Sequence, residues 1–276
     1  MLRGLDLAVN LTSLQKTPCR AVLHFHIGDT GGTEVNRLFT SSTDWAVVTL
    51  SVRAQFARYA PRWRSGAMAP DRLLKPRSAE ARSTPSKLYL EVHCSISLKE
   101  LVETELPAVR AALPRCTLEA FTVVRDPIDW LCSMCRRQHN DFHSGFMAGH
   151  VRQHNLDVLK YGLASCMRRR QPANADDVEE MQRLLRVGSV QPVALSQLDA
   201  KMTRFGFKVA QPEKRANAHI SSGSHTPNQL HQMQLNTSAC DEHMATHNAT
   251  AALQHDIRFY TDLFPDQRLR TSCSHA

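Results

Sequence analysis

Short apolar runs alternate with amphipathic, helix-length segments along the first half of the chain. Four runs have the β-branched and aromatic composition of buried strands, at 21–27, 45–52, 88–93 and 118–124. Segments with helical periodicity follow at 34–39, 98–113 and 128–138. This alternation predicts an α/β fold, with a mostly parallel sheet flanked by helices and joined by crossover connections.

Capping and helix-breaking residues refine these boundaries. Ser97 is a suitable N-cap for the helix that follows it, and Pro107 should kink or break that helix. Pro127 is well placed as the first residue of the helix after the fourth strand. The second half is less regular, with further helices predicted at 176–187, 197–205 and 251–264, and a strand at 190–195.

The pattern indicates one domain over 1–276, with its core at 19–138 and a less regular helical and loop half at 139–276. Hydrophobic content of 42% and charged content of 22% are typical of a globular protein. No apolar run approaches the roughly 18 residues that a membrane span needs. The first residues lack a convincing cleavage site, so we expect a soluble protein or one whose anchoring segment is missing from this sequence.

The first predicted strand leads directly into a glycine-bearing turn. His24 and His26 interrupt its apolar run, Gly28, Gly31 and Gly32 follow, and Thr33 is a candidate N-cap for the next helix. A strand that enters a glycine turn and opens a helix favours phosphate-like anions, because bare N–H groups and the positive helix end face the ligand. An ordinary β-to-α turn is the alternative.

A second candidate site follows the fourth strand. Arg125 stands where the strand ends, and its planar guanidinium could bind a phosphate at the carboxyl edge of the sheet. Ser133 lies two helical turns further on and could direct its hydroxyl at the same group. Alternatively, Arg125 pairs with Asp126 or Asp129, and Ser133 only packs.

The charge of the chain indicates an anionic partner. The formal net charge is +8 and the sequence pI is near 9.3. Nine Lys and Arg residues lie between Arg53 and Lys87, against two acidic residues. This segment is either a polyanion-binding surface or a solvated basic loop.

The eight cysteines include one C-x-x-C pair, Cys132 and Cys135, inside a predicted helix. Without a second such pair or nearby histidines at zinc spacing, a metal or redox role has little support. Three N-x-[S/T] sequons, at Asn10, Asn236 and Asn248, point weakly to a secretory-pathway lumen.

Together, the two candidate sites resemble a known family. The segment 26–33, HIGDTGGT, resembles the HIPKTGGT signature of Golgi-type carbohydrate sulfotransferases, including the heparan sulfate 2-O and 6-O types. The segment 124–133 resembles that family's R-D-P-x5-S motif. The resemblance implies a P-loop NTPase-like sulfotransferase fold that uses 3′-phosphoadenosine 5′-phosphosulfate. It implies that the 5′-phosphosulfate is bound by Gly28, Thr30, Gly31, Gly32 and Thr33, and the 3′-phosphate by Arg125 and Ser133.

The resemblance also implies a catalytic base. His93 ends the third strand where the heparan sulfate 2-O- and 6-O-type members place a catalytic histidine, and His26 is the second candidate. Imidazole suits removal of a hydroxyl proton near neutral pH. The alternative is that His93 is a structural histidine.

One residue departs from the signature in a way that matters for donor binding. The family carries Lys before TGGT, whereas this chain has Asp29, whose carboxylate would repel the phosphosulfate. Arg37 or the basic segment could substitute for the lysine. Otherwise the chain is a catalytically impaired binding or scaffold protein. A P-loop phosphotransferase is disfavoured because GxxxxGK[ST] requires a lysine that is missing here.

The resemblance implies sulfation of a hydroxyl group. The acceptor would be a glycan or another hydroxyl-bearing molecule, polyanions included. The resemblance further implies a glycoprotein of the Golgi lumen or membrane. We expect no metal and no nucleic-acid partner, and membrane attachment only through a segment not evident in the sequence.

Overall fold

The structure, a computed structural model, describes residues 18–28, 30–49, 87–93, 96–137, 154–162, 173–209, 240–242, 244–245 and 248–273. The strands of this part of the chain form a single sheet. They are β1 (Cys19–His26), β2 (Ala46–Thr49), β3 (Lys87–His93), β4 (Cys116–Val124) and β5 (Val190–Ala194).

The sheet has the order β2-β3-β1-β4-β5. Strand β1 pairs in parallel with both β3 and β4, and β2 pairs in parallel with β3. Strand β1 is therefore central, which explains its near-continuous apolar sequence, since both of its faces are covered. The predicted α/β class, a parallel sheet flanked by helices, is confirmed.

The helices lie mainly where the periodicity predicts them. They are α1 (Gly32–Ser41), α2 (Leu98–Glu100), α3 (Leu106–Ala112), α4 (Pro127–Arg137), α5 (His154–Tyr161), α6 (Ala175–Gly188), α7 (Leu198–Arg204), α8 (Ala249–Ala252) and α9 (Gln254–Leu263). The Ser97 hydroxyl accepts a hydrogen bond from the Glu100 N–H, and Pro127 begins α4, as predicted.

The helical segment that contains Pro107 does not end at this residue. A π-helical turn, Leu101–Glu105, joins α2 to α3, and the Leu106 N–H bonds to the Leu101 carbonyl. Proline lacks an N–H and its ring clashes with the carbonyl four residues earlier. The wider π turn just before Pro107 accommodates both effects.

Three predicted boundaries were wrong in detail. Helix α1 begins at Gly32 with Gly31 as its N-cap, so Thr33 lies inside the helix. The predicted strand 45–52 is Ala46–Thr49, and positions 50–52 lie outside the described residues. The predicted final helix divides at Leu253 into α8 and α9.

The contacts divide the chain into two compact units. The first comprises the described residues of Met1–Val123, Val158–Arg170 and Glu179–Pro192. The second comprises those of Val124–Asp157, Gln171–Val178 and Val193–Ala276. The single domain over 1–276 stays a prediction.

Three disulfide bonds cross-link the described chain. Cys19–Cys116 joins the starts of β1 and β4 in the first unit. In the second unit, Cys132 pairs with Cys273 and Cys135 with Cys240. The C-x-x-C cysteines thus bond to distant partners, and all four sulfurs lie in a hydrophobic cluster beside α4.

Two properties of the described residues bear on membrane attachment and metal binding. None of the described helices combines the length and apolar character needed to cross a membrane. The same residues contain no cluster of three His, Cys, Asp or Glu side chains that could hold a metal ion.

Candidate anion-binding site

The turn that joins β1 to α1 is closed by its own side chains and backbone. The Thr30 hydroxyl, fully buried, donates to the Ile27 carbonyl over 2.7 Å. Gly31 has φ 88°, a left-handed conformation that glycine adopts without strain, and its carbonyl accepts the first helical N–H bonds. Thr30 thereby shapes the turn, and the ten-residue α1 starts immediately behind it.

Two glycines of the turn have different surroundings. Around Gly28 the space that a β-carbon would occupy is open. At Gly32 an added methyl group would overlap the imidazole ring of His26. Gly32 is therefore required because the ring of His26 packs directly against its backbone. Asp29 and the side chain of Thr33 lie outside the described residues.

His26 belongs to a buried hydrogen-bonded network, which we call the turn network, formed by His26, Glu91 and Asn36. His26 Nδ1 lies 2.9 Å from Glu91 Oε1, and the Asn36 amide donates to Glu91 Oε2. The side chains of His26 and Glu91 are 7% and 5% exposed. With Glu91 ionised, Nδ1 carries the hydrogen, because a carboxylate only accepts.

A second polar pair lies next to the turn network. His24 Nδ1 lies 2.9 Å from the Tyr89 hydroxyl, and the His24 ring stacks on Phe121. Burial raises the pKa of Tyr89 far above its usual value, so its hydroxyl stays protonated. The two histidines that interrupt the apolar run of β1 thus each bond to a polar side chain of β3.

The two candidate bases occupy different positions. His93 is the last residue of β3 and stands opposite His26 in the strand register. Its side chain lies outside the described residues. His26 is buried against Gly32 and oriented by Glu91, which is the environment of a group that positions the turn. Its role as a base stays a prediction.

Arg37 was expected as one replacement for the missing lysine. Its guanidinium donates to both carboxylate oxygens of Glu34, over 2.8 and 2.7 Å, on the exposed face of α1. That bidentate pair raises the pKa of Arg37, the Glu34 hydrogen bond being the largest cause. Arg37 is thus already engaged within its own helix. The other expected replacement, the basic segment, lies outside the described residues except for Lys87.

In the second unit, Arg125 pairs with Asp129, as in the alternative considered above. Its Nε donates to Asp129 Oδ2 over 2.6 Å, and Arg270 Nη1 lies 2.8 Å from Asp129 Oδ1. One carboxylate therefore holds two guanidinium groups. Ser133 is half-buried on α4. The phosphate-binding roles of Arg125 and Ser133 stay predictions.

The backbone of Arg125 is held by Asn155, a residue that the sequence did not reveal. The Asn155 side chain accepts from the Arg125 N–H over 3.3 Å and donates to the Arg125 carbonyl over 2.9 Å. Asn155 is itself fixed by Asp256, which accepts from its backbone and side-chain N–H groups, each over 3.0 Å. We call Arg125, Asp129, Arg270, Asn155 and Asp256 the arginine network.

Asp256, a residue of α9, is fully buried, and its carboxylate also accepts from the Leu156 N–H at the start of α5 over 2.9 Å. Burial raises its pKa to about 7, although the hydrogen bonds from Leu156 and Asn155 oppose this shift. Burial likewise raises the pKa of Asp126, whose carboxylate accepts from N–H groups at the start of α4 and from the Arg270 N–H. Asp126 is therefore a helix cap that also fixes Arg270.

Sequence reasoning missed Glu91, Asn36, Asn155, Asp256 and Arg270. Glu91 had a usable signal, since it is a lone acid inside a strand-like apolar run. Asn155 and Asp256 had none, because their partners lie 30 and 101 residues away in sequence.

Among known proteins, this chain has a distant structural match but no match to a family profile or a curated sequence. A solved structure that matches is a sulfotransferase from Alicyclobacillus acidocaldarius, at 10% identity over 91% of this chain and 98% of that chain, with a TM-score of 0.41. A likeness at this level does not assign a family or a reaction.

Proposed function

We propose that this protein is a sulfotransferase that moves a sulfuryl group from 3′-phosphoadenosine 5′-phosphosulfate to a hydroxyl of a glycan. The observation that carries the proposal is the turn after β1. A central parallel strand, which ends at His26, leads into a turn whose left-handed Gly31 opens a ten-residue helix, within a segment that resembles the phosphosulfate loop. Such a turn offers backbone N–H groups and a positive helix end to an anion.

The second motif supports the same donor. Arg125 follows β4 directly, and the arginine network fixes both its backbone and its Nε. Asp129 already pairs with this guanidinium, so the proposed binding of a phosphate rests on the sequence motif and not on the ion pair. We assign the 3′-phosphate to Arg125 and Ser133.

The proposed reaction is an in-line displacement at sulfur. The acceptor hydroxyl oxygen forms a bond to sulfur while the bond between sulfur and the bridging phosphate oxygen breaks. The leaving group is 3′-phosphoadenosine 5′-phosphate, and the hydroxyl proton passes to His93 as general base. His26, bonded to Glu91 and packed on Gly32, shapes the turn that holds the donor.

Disulfide bonds support a lumenal location for this reaction. The described residues form three disulfides. Disulfides persist in oxidising compartments and are rare in the cytosol. The Golgi lumen is the location that the family resemblance implies. The basic composition of the chain is compatible with an anionic glycan as acceptor.

A catalytically impaired binding protein is the second candidate, and one observation favours it. Asp29 stands where the family has lysine, and Arg37, an expected substitute, is already bonded to Glu34. A turn without a compensating cation would bind the doubly charged phosphosulfate group of the donor weakly.

Donor-dependent sulfation of a panel of glycans, read by mass spectrometry, tests the proposal. We expect product with the unaltered protein, loss of turnover in His93→Ala, and weakened donor binding in Arg125→Ala. Arg258→Ala is the matched control, because that arginine pairs with Asp262 on the exposed face of α9. Equal activity in all variants would refute the assigned roles, and donor binding without product would favour the impaired protein.

A further inference from the structure

The proposed reaction makes no use of the sequons, and one of them, at 248–250, lies within the described residues. Sequons become glycosylated only in chains that enter the secretory pathway and only at accessible sites. The chain therefore has to meet two conditions, one of compartment and one of local geometry.

The compartment condition is met by the cysteines. Cys132, Cys135, Cys240 and Cys273 are at most 1% exposed, and each is bonded to a partner at least 105 residues away. Buried disulfides that join distant segments are structural, in contrast to exposed C-x-x-C pairs that exchange thiols. The fold of the second unit thus includes cross-links that form in an oxidising compartment.

The local condition is met by the backbone at Asn248. This residue has φ 46° and ψ 49°, the left-handed region that asparagine tolerates, immediately before α8. It is exposed, and its side chain makes no capping hydrogen bond to the helix. The backbone N–H instead bonds to the Ala245 carbonyl over 3.2 Å. The exposed side chain of Asn248 is therefore presented to solvent immediately before α8.

The other two residues of the sequon, Ala249 and Thr250, differ in their exposure to solvent. Thr250 is exposed like Asn248, whereas Ala249 between them is 2% exposed and packs with Leu253 in the disulfide-rich cluster. Ala249 thus anchors the tripeptide while the two residues that define the sequon face outward. A glycan at this site would displace no buried side chain.

We propose that Asn248 is an N-glycosylation site. The step requires an oligosaccharide linked to a lipid diphosphate as glycosyl donor. The Asn248 amide nitrogen forms a bond to the anomeric carbon, the bond from that carbon to the diphosphate oxygen breaks, and the amide gives one proton to a base of the transferring enzyme or to water. The lipid diphosphate leaves with the electron pair, and no oxidant is consumed.

The test is expression of the full chain through the secretory pathway of a eukaryotic cell. Secreted and cell-retained chains are both digested with peptide N-glycosidase in ¹⁸O water, which converts a glycosylated asparagine into labelled aspartate. We expect the label at position 248. Asn248→Gln and Thr250→Val should each lose one glycan in a gel-mobility assay, and Thr250→Ser should keep it.

The Thr250 pair separates glycosylation from misfolding, because Val and Ser both replace the same exposed side chain but only Ser preserves the sequon. The sequons at Asn10 and Asn236, outside the described residues, are resolved as separate peptides. An unlabelled asparagine at 248 in the wild-type chain, or a full glycan count in Asn248→Gln, would overturn the proposal. Neither readout depends on sulfotransferase activity.

Discussion

The turn network and the arginine network differ in how they are built. The turn network joins His26 on β1, Glu91 on the paired strand β3, and Asn36 on the helix that follows the turn. The arginine network joins Arg125 to residues from α5, α9 and the C-terminal segment. The first fixes the shape of a backbone turn, and the second fixes the position of a cation. The turn network is assembled by two paired strands and the helix after the turn, whereas the arginine network depends on more distant segments, with 101 positions between Asn155 and Asp256.

The largest effect is expected where the turn network meets the backbone. Gly32→Ala places a methyl group on the His26 ring, so that either the ring or α1 has to move. Overpacking, together with loss of the buried bond to Glu91, should lower the free energy of unfolding by about 3 to 5 kcal/mol. Urea denaturation with the disulfides intact measures this difference.

Gly28→Ala is the matched control, because the space for its β-carbon is open. We expect a change within about 1 kcal/mol there. The double variant His26→Ala/Gly32→Ala should recover part of the loss, since the clash is then removed. If Gly32→Ala is as stable as the wild type, the ring of His26 does not occupy that space.

A similar loss is expected when the arginine network is cut at its most buried member. Asp256→Ala leaves two backbone N–H groups and the Asn155 amide without their acceptor, which should cost about 3 kcal/mol. Hydrogen exchange should also become faster at the Arg125 amide, which bonds to Asn155. Asp262→Ala, which removes an exposed ion-pair partner, should change stability by less than about 1 kcal/mol. Equal exchange in both variants would contradict the link from Asp256 to Arg125.

The third prediction concerns the pH dependence of stability that the arginine network produces. The pKa of Asp256 is raised to about 7, against about 3.9 in an unfolded chain. Between these values the folded state binds a proton that the unfolded state does not. The contribution of Asp256 to the free energy of unfolding therefore falls as pH rises from about 4 to about 7, by up to about 1.4 kcal/mol per pH unit. Above about pH 7 this contribution is constant.

Asp256→Asn removes this titration with little change of shape. The stability of the wild type minus that of the variant should decline across the same pH interval, as measured by urea denaturation at each pH. Subtracting the variant cancels the contribution of Asp126, whose pKa is also raised by burial. A difference that is flat with pH would mean that Asp256 does not take up a proton in the folded protein.

The smallest changes in stability are expected for two arginines whose side chains differ in solvent exposure. Arg270, with its side chain 29% exposed, pairs with Asp129 over 2.8 Å, and Arg270→Ala should cost about 1 to 2 kcal/mol. Arg37 is 63% exposed, and Arg37→Gln should cost only about 0.3 to 0.5 kcal/mol. Thermal denaturation of both variants tests the order, and a larger loss for Arg37→Gln would reverse it.

Much of the fold could be predicted because its signals are local. After Arg20, strand β1 is an apolar run that only two histidines interrupt. Ser97 and Pro127 define helix starts, and the alternation of elements implies parallel pairing. The start of α1 was misplaced because the left-handed Gly31, and not Thr33, caps that helix. Glycine conformations depend on the path of the chain on both sides, which composition does not specify.

The candidate site was predictable only in part. The glycine turn and Arg125 could be located because they stand at strand ends. Asn155 and Asp256 act through tertiary hydrogen bonds, and the cysteine pairing joins residues 97 to 141 positions apart. Neither kind of contact leaves a local pattern. Eight cysteines allow many pairings, and spacing alone does not select one of them.

Calorimetric titration with 3′-phosphoadenosine 5′-phosphate tests the central claim most directly, because it measures donor-site binding without requiring an acceptor. We expect micromolar affinity for the wild-type chain, a loss of at least about tenfold in Arg125→Ala, and unchanged binding in Arg258→Ala. Absence of binding by the folded wild-type chain, or equal affinity for ATP, would contradict the assignment of the turn after β1 as a phosphosulfate site.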